Sequence, residues 1–341
     1  MVPIEGGVCE GGEDTKTQKR SIDHSEKEDR VQEQIMKNSF DLLKVVRPNI
    51  QKLKPYRCAR DDFSDGQLMD ANENSLGPPM NVNIISEPER YPCPHQVELK
   101  SMYAKWRGIS QKNVFLGVGS DEAIDLLIRM ACVPGKDSIL TLPPTYGMYA
   151  VCAQVNDVNV VEVPLDEGFV MNSKKILDVI EKQPKQSPIK IVWVCHPNNP
   201  TGNDVATTSE LEKLANSIGD AILVIDEAYV DFSTKRSSTA SLIAKCPNVA
   251  VLQTFSKSWG LAGVRCGVCM VCWISLSFFF IIFFFSQHHH HHYIIIIITT
   301  LIIGTHTGTR RYCGLSHKDE GAVQSKQNDF ESCKGSYDSR R

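Results

Sequence analysis

Hydrophobic positions divide the chain into four stretches. Residues 1–34 show neither helical nor strand periodicity. From Ile35 the pattern becomes structured: Ile35, Phe40, Leu42, Leu43 and Val46 fall at helical spacing and predict an amphipathic helix that Pro48 stops. Residues 56–95 are rich in Pro, Asn and Asp and read as an arm or loop lying over a surface, and Glu98 to Trp106 reads as a helix. Residues 113–272 alternate short apolar runs with amphipathic segments. The runs predict strands at 114–116, 138–142, 158–163, 189–195, 221–225 and 249–254. The segments between them predict helices at 121–131, 174–182 and 209–217, the last capped by Thr208 or Ser209. Such alternation argues for an α/β fold, a parallel sheet covered by helices with ligands at the carboxyl ends of its strands. After Arg265 the character changes. Cys266 to Phe285 is almost wholly apolar, five histidines follow (His288 to His292), then Ile294 to Ile298, and the last thirty residues are polar and patternless.

Composition narrows the classes. The chain has 341 residues, 42% hydrophobic and 23% charged, with a formal net charge of −3. The apolar share is ample for a core, and the near-neutral balance gives no basic field for nucleic acid. Within residues 1–34, nine acidic side chains stand against five basic ones. Too little apolar surface is present there to offset ordering entropy, so a disordered leader is expected. Its acidity and its lack of an arginine-rich start argue against an organellar transit peptide. Twelve irregularly spaced cysteines behind no signal peptide fit reduced thiols in the cytoplasm rather than a disulfide scaffold.

Candidate chemistry gathers at predicted strand ends. Gly117-Val118-Gly119-Ser120-Asp121 joins a strand to a helix, where the N–H groups of Gly119, Ser120 and Asp121 suit an anion; Ser120 as a plain helix cap is the simpler reading. Pro197-Asn198-Asn199-Pro200-Thr201-Gly202 is a rigid turn whose Asn–Pro bond is a candidate for cis. Asp226-Glu227-Ala228-Tyr229 ends an apolar strand, and a carboxylate there needs a partner: a cation, a metal or a ligand nitrogen. Magnesium-dependent nucleotide hydrolysis would also need a G-x-x-x-x-G-K-[ST] loop, which the sequence lacks. Lys257 leaves a strand into the glycine-punctuated turn Ser256-Lys257-Ser258-Trp259-Gly260, with Arg265 eight residues on. An amine among apolar groups and a second cation suits a Schiff-base lysine.

Taken together, these four elements resemble the fold-type-I pyridoxal-phosphate aminotransferases, with a three-layer αβα fold. The N-terminal half resembles the histidinol-phosphate aminotransferase subgroup: Arg47-Pro48-Asn49-Ile50 with Leu53, Pro55 and Tyr56; Met69-Asp70-Ala71-Asn72-Glu73-Asn74; Arg90-Tyr91-Pro92; and Gly117 to Glu122. The match runs over roughly residues 45–268. It implies pyridoxal 5'-phosphate as cofactor, with Lys257 as the Schiff-base lysine and later the general acid and base. It further implies Asp226 paired with the pyridine nitrogen, Asn199 and Tyr229 on the ring's phenolic oxygen, and Tyr146 stacked on the ring. Gly119, Ser120, Asp121, Ser256 and Arg265 would cradle the phosphate. Tyr91 would reach the cofactor of a neighbouring subunit, implying a homodimer, and Tyr56 and Asn72 would line the substrate entrance. The implied reaction is transamination between L-histidinol phosphate and 2-oxoglutarate, giving imidazole-acetol phosphate and glutamate in histidine biosynthesis. Because the chain departs from the family before the substrate-gripping arginine, the reaction is expected to be impaired in it; alternatives are an aromatic-amino-acid transaminase, a related decarboxylase using the same cofactor, or a non-catalytic truncated product.

The resemblance also organises the remainder. It implies residues 35–94 as helix and arm of a small domain and 95–272 as a large cofactor domain that is incomplete at its C-terminal side. Cys266, Cys269 and Cys272 are spaced like metal ligands, but the family places an apolar strand there, whose alternation turns them in different directions; no metal is expected. The 20 residues from Cys266 to Phe285 could span a bilayer by length, yet they fall mid-domain in the family, so no membrane association is expected. Residues 273–341 match nothing in the family, including the region of its substrate-gripping arginine. Their runs of Phe, Ile and His are expected to be aberrant low-complexity sequence.

Overall fold

Seven strands form one sheet in the order β1-β7-β6-β5-β4-β2-β3. They are β1 (Val114–Val118), β2 (Ser138–Thr141), β3 (Asn159–Glu162), β4 (Ile189–Cys195), β5 (Ile222–Asp226), β6 (Val249–Thr254) and β7 (Cys266–Val271). The computed structural model describes residues 40–53, 71–74, 76–77, 89–91, 93, 95–233 and 237–272. The expected leader, most of the arm including Tyr56, and the low-complexity tail lie outside these residues.

The central strands are near-continuous apolar runs, and all residues of β5, β6 and β7 are buried. A strand reads this way when helices cover both faces of its sheet. On one face α1 (Leu42–Val45), α2 (Pro48–Gln51), α4 (Gly119–Ala131) and α5 (Met148–Val155) pack on Ile139, Ile191, Trp193, Val224, Leu252 and Cys269. Successive strand residues point to opposite faces. The alternate set, Val192, Val194, Leu223, Ile225 and Val251, is equally buried. There α7 (Thr208–Ser217) packs on β5, with α6 (Ser173–Lys182) beside it. The remaining helix, α3 (Val97–Arg107), packs near β1. The expected three-layer αβα architecture is therefore present.

Several local expectations are corrected. The sheet is not wholly parallel: β7 runs antiparallel to both β6 and β1. A parallel partner for β6 needs a long crossover, and the turn from Phe255 to Arg265 instead returns β7 directly alongside. Pro48 does not merely stop a helix; it occupies the first turn of the next one, α2, where its missing N–H costs nothing. α7 is capped by Thr207, not Thr208 or Ser209: its Oγ1 accepts from Glu210 N–H while Glu210 reaches back to the Thr207 N–H. That capping box is written in the sequence as Thr-x-x-Glu. α4 begins at Gly119 with no side-chain cap, so Ser120 is not its cap. The helix α5 was not anticipated, because its eight residues are mostly apolar and lack an alternating polar face. Among the described residues, no helix is long and apolar enough to cross a membrane.

Candidate active site

The carboxyl ends of β4, β5 and β6 and the β1–α4 turn surround an open cleft of about 460 Å³. Asp226, the last residue of β5, forms part of its lining and is only 2% exposed. Its Oδ2 accepts a 2.6 Å hydrogen bond from the Tyr149 hydroxyl, and its Oδ1 accepts from the Ala228 N–H at 3.1 Å. Burial pushes its carboxyl up to about 6 despite those two bonds, and the Asp121 and Glu227 carboxylates push the same way. A carboxylate so placed is costly when ionised and gains from a cationic partner. The neighbouring Glu227 is satisfied instead by Ser238, the Thr239 N–H and Gln253, and so anchors the loop below.

The cationic side of the cleft comes from the β6–β7 turn. Lys257 is exposed there, its Nζ 5.6 Å from the centre of the Tyr229 ring. Arg265 takes a left-handed conformation (φ 54°) at the end of the same turn. Its Nη1 donates to Ser256 Oγ at 3.4 Å, and its Nη2 lies 3.5 Å from Asp121 Oδ2. Ser256 is held in turn by Thr254 Oγ1, which accepts from its N–H at 3.2 Å. Glycine is required at 119: a Cβ there would stand 2.5 Å from Arg265 Nη2, and φ is +75°. The Gly119 N–H donates to the Arg265 carbonyl. It is therefore not free for an anion, as had been expected, and Gly119 supports the cradle without lining it. Ser120, Asp121, Ser256 and Arg265 all line it.

On the opposite wall, the Tyr146 hydroxyl donates to Asp121 Oδ1 at 3.1 Å, and its ring meets that of Tyr149 edge-on. Burial and Asp121 push the Tyr146 phenol upward, so it stays a donor. Asn199 and Tyr229 complete the lining. The Asn199–Pro200 bond is cis, as are His196–Pro197 and Pro143–Pro144. Asn198 turns away and ties the turn to the Pro144 carbonyl.

Of the expected site residues, Lys257, Ser120, Asp121, Tyr146, Asn199, Asp226, Tyr229, Ser256 and Arg265 are brought together. Asn72 and Tyr91 do not line the cleft; the Tyr91 N–H bonds Glu73, and its ring is half exposed. Sequence reasoning missed Tyr149, Cys195 and Thr254. Tyr149 lies three residues after Tyr146, the spacing that puts two side chains on one helix face, but no helix had been predicted there. Among the described residues, no grouping of His, Cys, Asp and Glu could hold a metal ion. Cys266 and Cys269 are buried in β7, and burial pushes the Cys266 thiol up to about 12.

The chain is 47% identical to the histidinol-phosphate aminotransferase of Saccharomyces cerevisiae, over 67% of this chain and 62% of that protein. It is 45% identical to the Schizosaccharomyces pombe enzyme of the same name, over 68% and 61%. It thus spans a little over three fifths of the length of these curated relatives. In fold it resembles the crystal structure of histidinol-phosphate aminotransferase from Sinorhizobium meliloti in complex with pyridoxal-5'-phosphate. There the TM-score is 0.55 at 21% identity, covering 69% of this chain and 63% of that one. The enzyme of that name from Clostridium acetobutylicum gives a TM-score of 0.53 at 21% identity, over 64% and 62%. The family model described as aminotransferase class I and II matches residues 67–278, which is most of the chain and includes every residue that lines the cleft: the protein belongs to the class I and II aminotransferases.

Proposed function

We propose that the cleft binds pyridoxal 5'-phosphate and that the protein transfers an amino group between L-histidinol phosphate and 2-oxoglutarate. The observation that carries this reading is the pairing of a buried strand-end carboxylate, Asp226, with Lys257 and the Ser256–Arg265 couple around one cleft. The residues fit the group. A cationic ring nitrogen would answer the burial cost of Asp226. Arg265 and Ser256, with the N-terminus of α4, form an anion cradle that a Cβ at Gly119 would fill. Two buried hydroxyls beside lining residues, Thr145 and Ser258, lack hydrogen-bond partners.

When bound, the cofactor supplies a carbonyl that condenses with amines and a ring that accepts electrons. Everything else falls to the chain. Asp226 holds a proton at the ring nitrogen. Tyr146, fixed by Asp121, covers one ring face and excludes water from it. Asn199 and Tyr229 bond the ring's oxygen. Arg265, Ser256 and Ser120 bind phosphate oxygens and fix the register. Lys257, the exposed amine of the cleft, would be the group that takes a proton from the substrate's α-carbon and gives one back.

Similarity to the two yeast enzymes supports the substrate pair. Tyr91, half exposed and not among the residues lining its own cleft, supports a homodimer in which it serves the second copy. Eight free cysteines among the described residues, seven of them buried, support a reducing cytoplasmic compartment. We also assign residues 95–272 as the cofactor domain.

The test is to purify the full chain, add pyridoxal phosphate, and record visible absorbance and transamination. Histidinol phosphate with 2-oxoglutarate should be the preferred pair. Preference for an aromatic amino acid, release of carbon dioxide from a phosphorylated amino acid, or failure to bind the cofactor would each refute the assignment.

A further inference from the structure

Tyr149 is not exposed at all, yet it presents its one polar atom to the floor of the cleft. Its ring stacks on Trp193 of β4, centroids 4.7 Å apart and planes 13° apart, and meets Tyr146 edge-on at 5.6 Å. Packed between these two rings, Tyr149 aims its hydroxyl at Asp226 Oδ2, to which it donates at 2.6 Å, with the Cys195 thiol as a second hydrogen-bonding neighbour. A hydroxyl donating to a carboxylate favours its charged form.

We propose that Tyr149 is a positioning residue: its hydroxyl, aimed by the Trp193 stack, holds the Asp226 carboxylate ionised and oriented for the cofactor's ring nitrogen. This rests on the proposed function of the cleft. The groups facing Asp226 show why a donor is needed. Asp121 from α4 and Glu227 at the end of its own strand are acids that disfavour a further negative charge. Tyr146 and the Cys195 thiol from β4 are neutral, both pushed up in part by Asp226 itself. Lys257, Tyr229 and Arg265 line the same cleft, but the hydrogen bonds to the carboxylate come from Tyr149 and the Ala228 N–H. The phenol is itself raised well above its ordinary range by burial and by Asp226, so it keeps its proton through neutral pH.

The sign of the effect follows. Without the donor, Asp226 takes up its proton at higher pH. Cofactor capture, which uses the charged form, then fails over a wider acid range. The experiment measures pyridoxal phosphate affinity of the full chain by visible absorbance from pH 5 to 9. Tyr149→Phe removes only the oxygen and should move the acid midpoint up by about one pH unit, since hydrogen bonds to charged groups are among the stronger ones. A fluorinated tyrosine at 149, a stronger donor, should move it down. In an Asp226→Asn background, Tyr149→Phe should shift nothing further, which a merely structural role would not produce. An unmoved midpoint in Tyr149→Phe overturns the proposal. So does an unmoved midpoint with the fluorinated residue, which decides the matter if the Phe variant fails to fold. A wild-type chain that never captures pyridoxal phosphate overturns the proposed function, and this proposal with it.

Discussion

Replacing Gly267 by alanine should damage both the fold and the cleft, and the size of the damage can be worked from the packing. Gly267 lies within β7, opposite Gly117 of β1. An added Cβ would stand 2.1 Å from both Gly119 C and Ser120 N, and 2.5 Å from Gly119 O. All three are backbone atoms at the start of α4, so no side chain can swing aside. Reaching an ordinary 3.4 Å contact from 2.1 Å requires a retreat of about 1.3 Å by the helix start. Overpacking a buried site typically costs ~1–3 kcal/mol, and the lack of a flexible neighbour argues for about 3. For a domain of this size, ~2–4 °C per kcal/mol gives a melting temperature lower by about 6–12 °C. The same retreat displaces Ser120 and disturbs the Gly119–Arg265 hydrogen bond. A misplacement near 1 Å can cost roughly 10²-fold in turnover. The assay is thermal melting by circular dichroism, with transaminase rates alongside. Gly263→Ala is the control, because nothing lies within 4 Å of a Cβ there. A Gly267→Ala chain that melts and turns over like wild type would refute the reasoning.

Other outcomes are equally specific. Lys257→Ala should abolish transamination and the visible band of the bound cofactor while leaving the melting temperature within about 1 °C, because an exposed side chain is usually worth under ~0.5 kcal/mol. Asp226→Asn should bind pyridoxal phosphate more weakly and lose most turnover. It should also lose the fall in affinity expected of the wild type as pH drops through about 6, the value to which burial raises the Asp226 carboxyl; a retained acid limb would assign that titration elsewhere. Thr207→Ala removes the capping box of α7 and should cost about 1 kcal/mol by urea unfolding, with activity unchanged.

Much of this was legible in the residues. The strands β4, β5 and β6 were read within one residue of their observed ends, since strands buried on both faces leave unbroken apolar runs. Asp226 stood out because a carboxylate ending a buried strand is costly without a partner, and Lys257 because it enters a glycine-punctuated turn with Arg265 eight residues on. What escaped was tertiary. Tyr149 looks like any aromatic in an apolar stretch, and only the turn at Pro143-Pro144 carries its ring beneath Asp226. Gly119 read as an anion-binding turn, but its N–H serves the Arg265 carbonyl, a contact between residues 146 apart. The reversed direction of β7 follows from the shortness of the Phe255–Arg265 turn, which strand periodicity does not record.

The placement of β7 between β1 and β6 sets an order of assembly. Val114 and Met270 are cross-strand partners although 156 residues separate them. Contacts this distant carry a large closure entropy and form late. As the chain is synthesised, β2 to β5 can pair while β1 waits for its neighbour. The sheet closes when residues up to about 271 are available. Lys257 and Arg265 lie on the turn that delivers β7, so the cleft and the closed sheet are completed in the same step. A ribosome-bound chain arrested before that point would hold Asp226 and Tyr146 without a cradle. Capture of pyridoxal phosphate by nascent chains of increasing length would therefore report sheet closure directly.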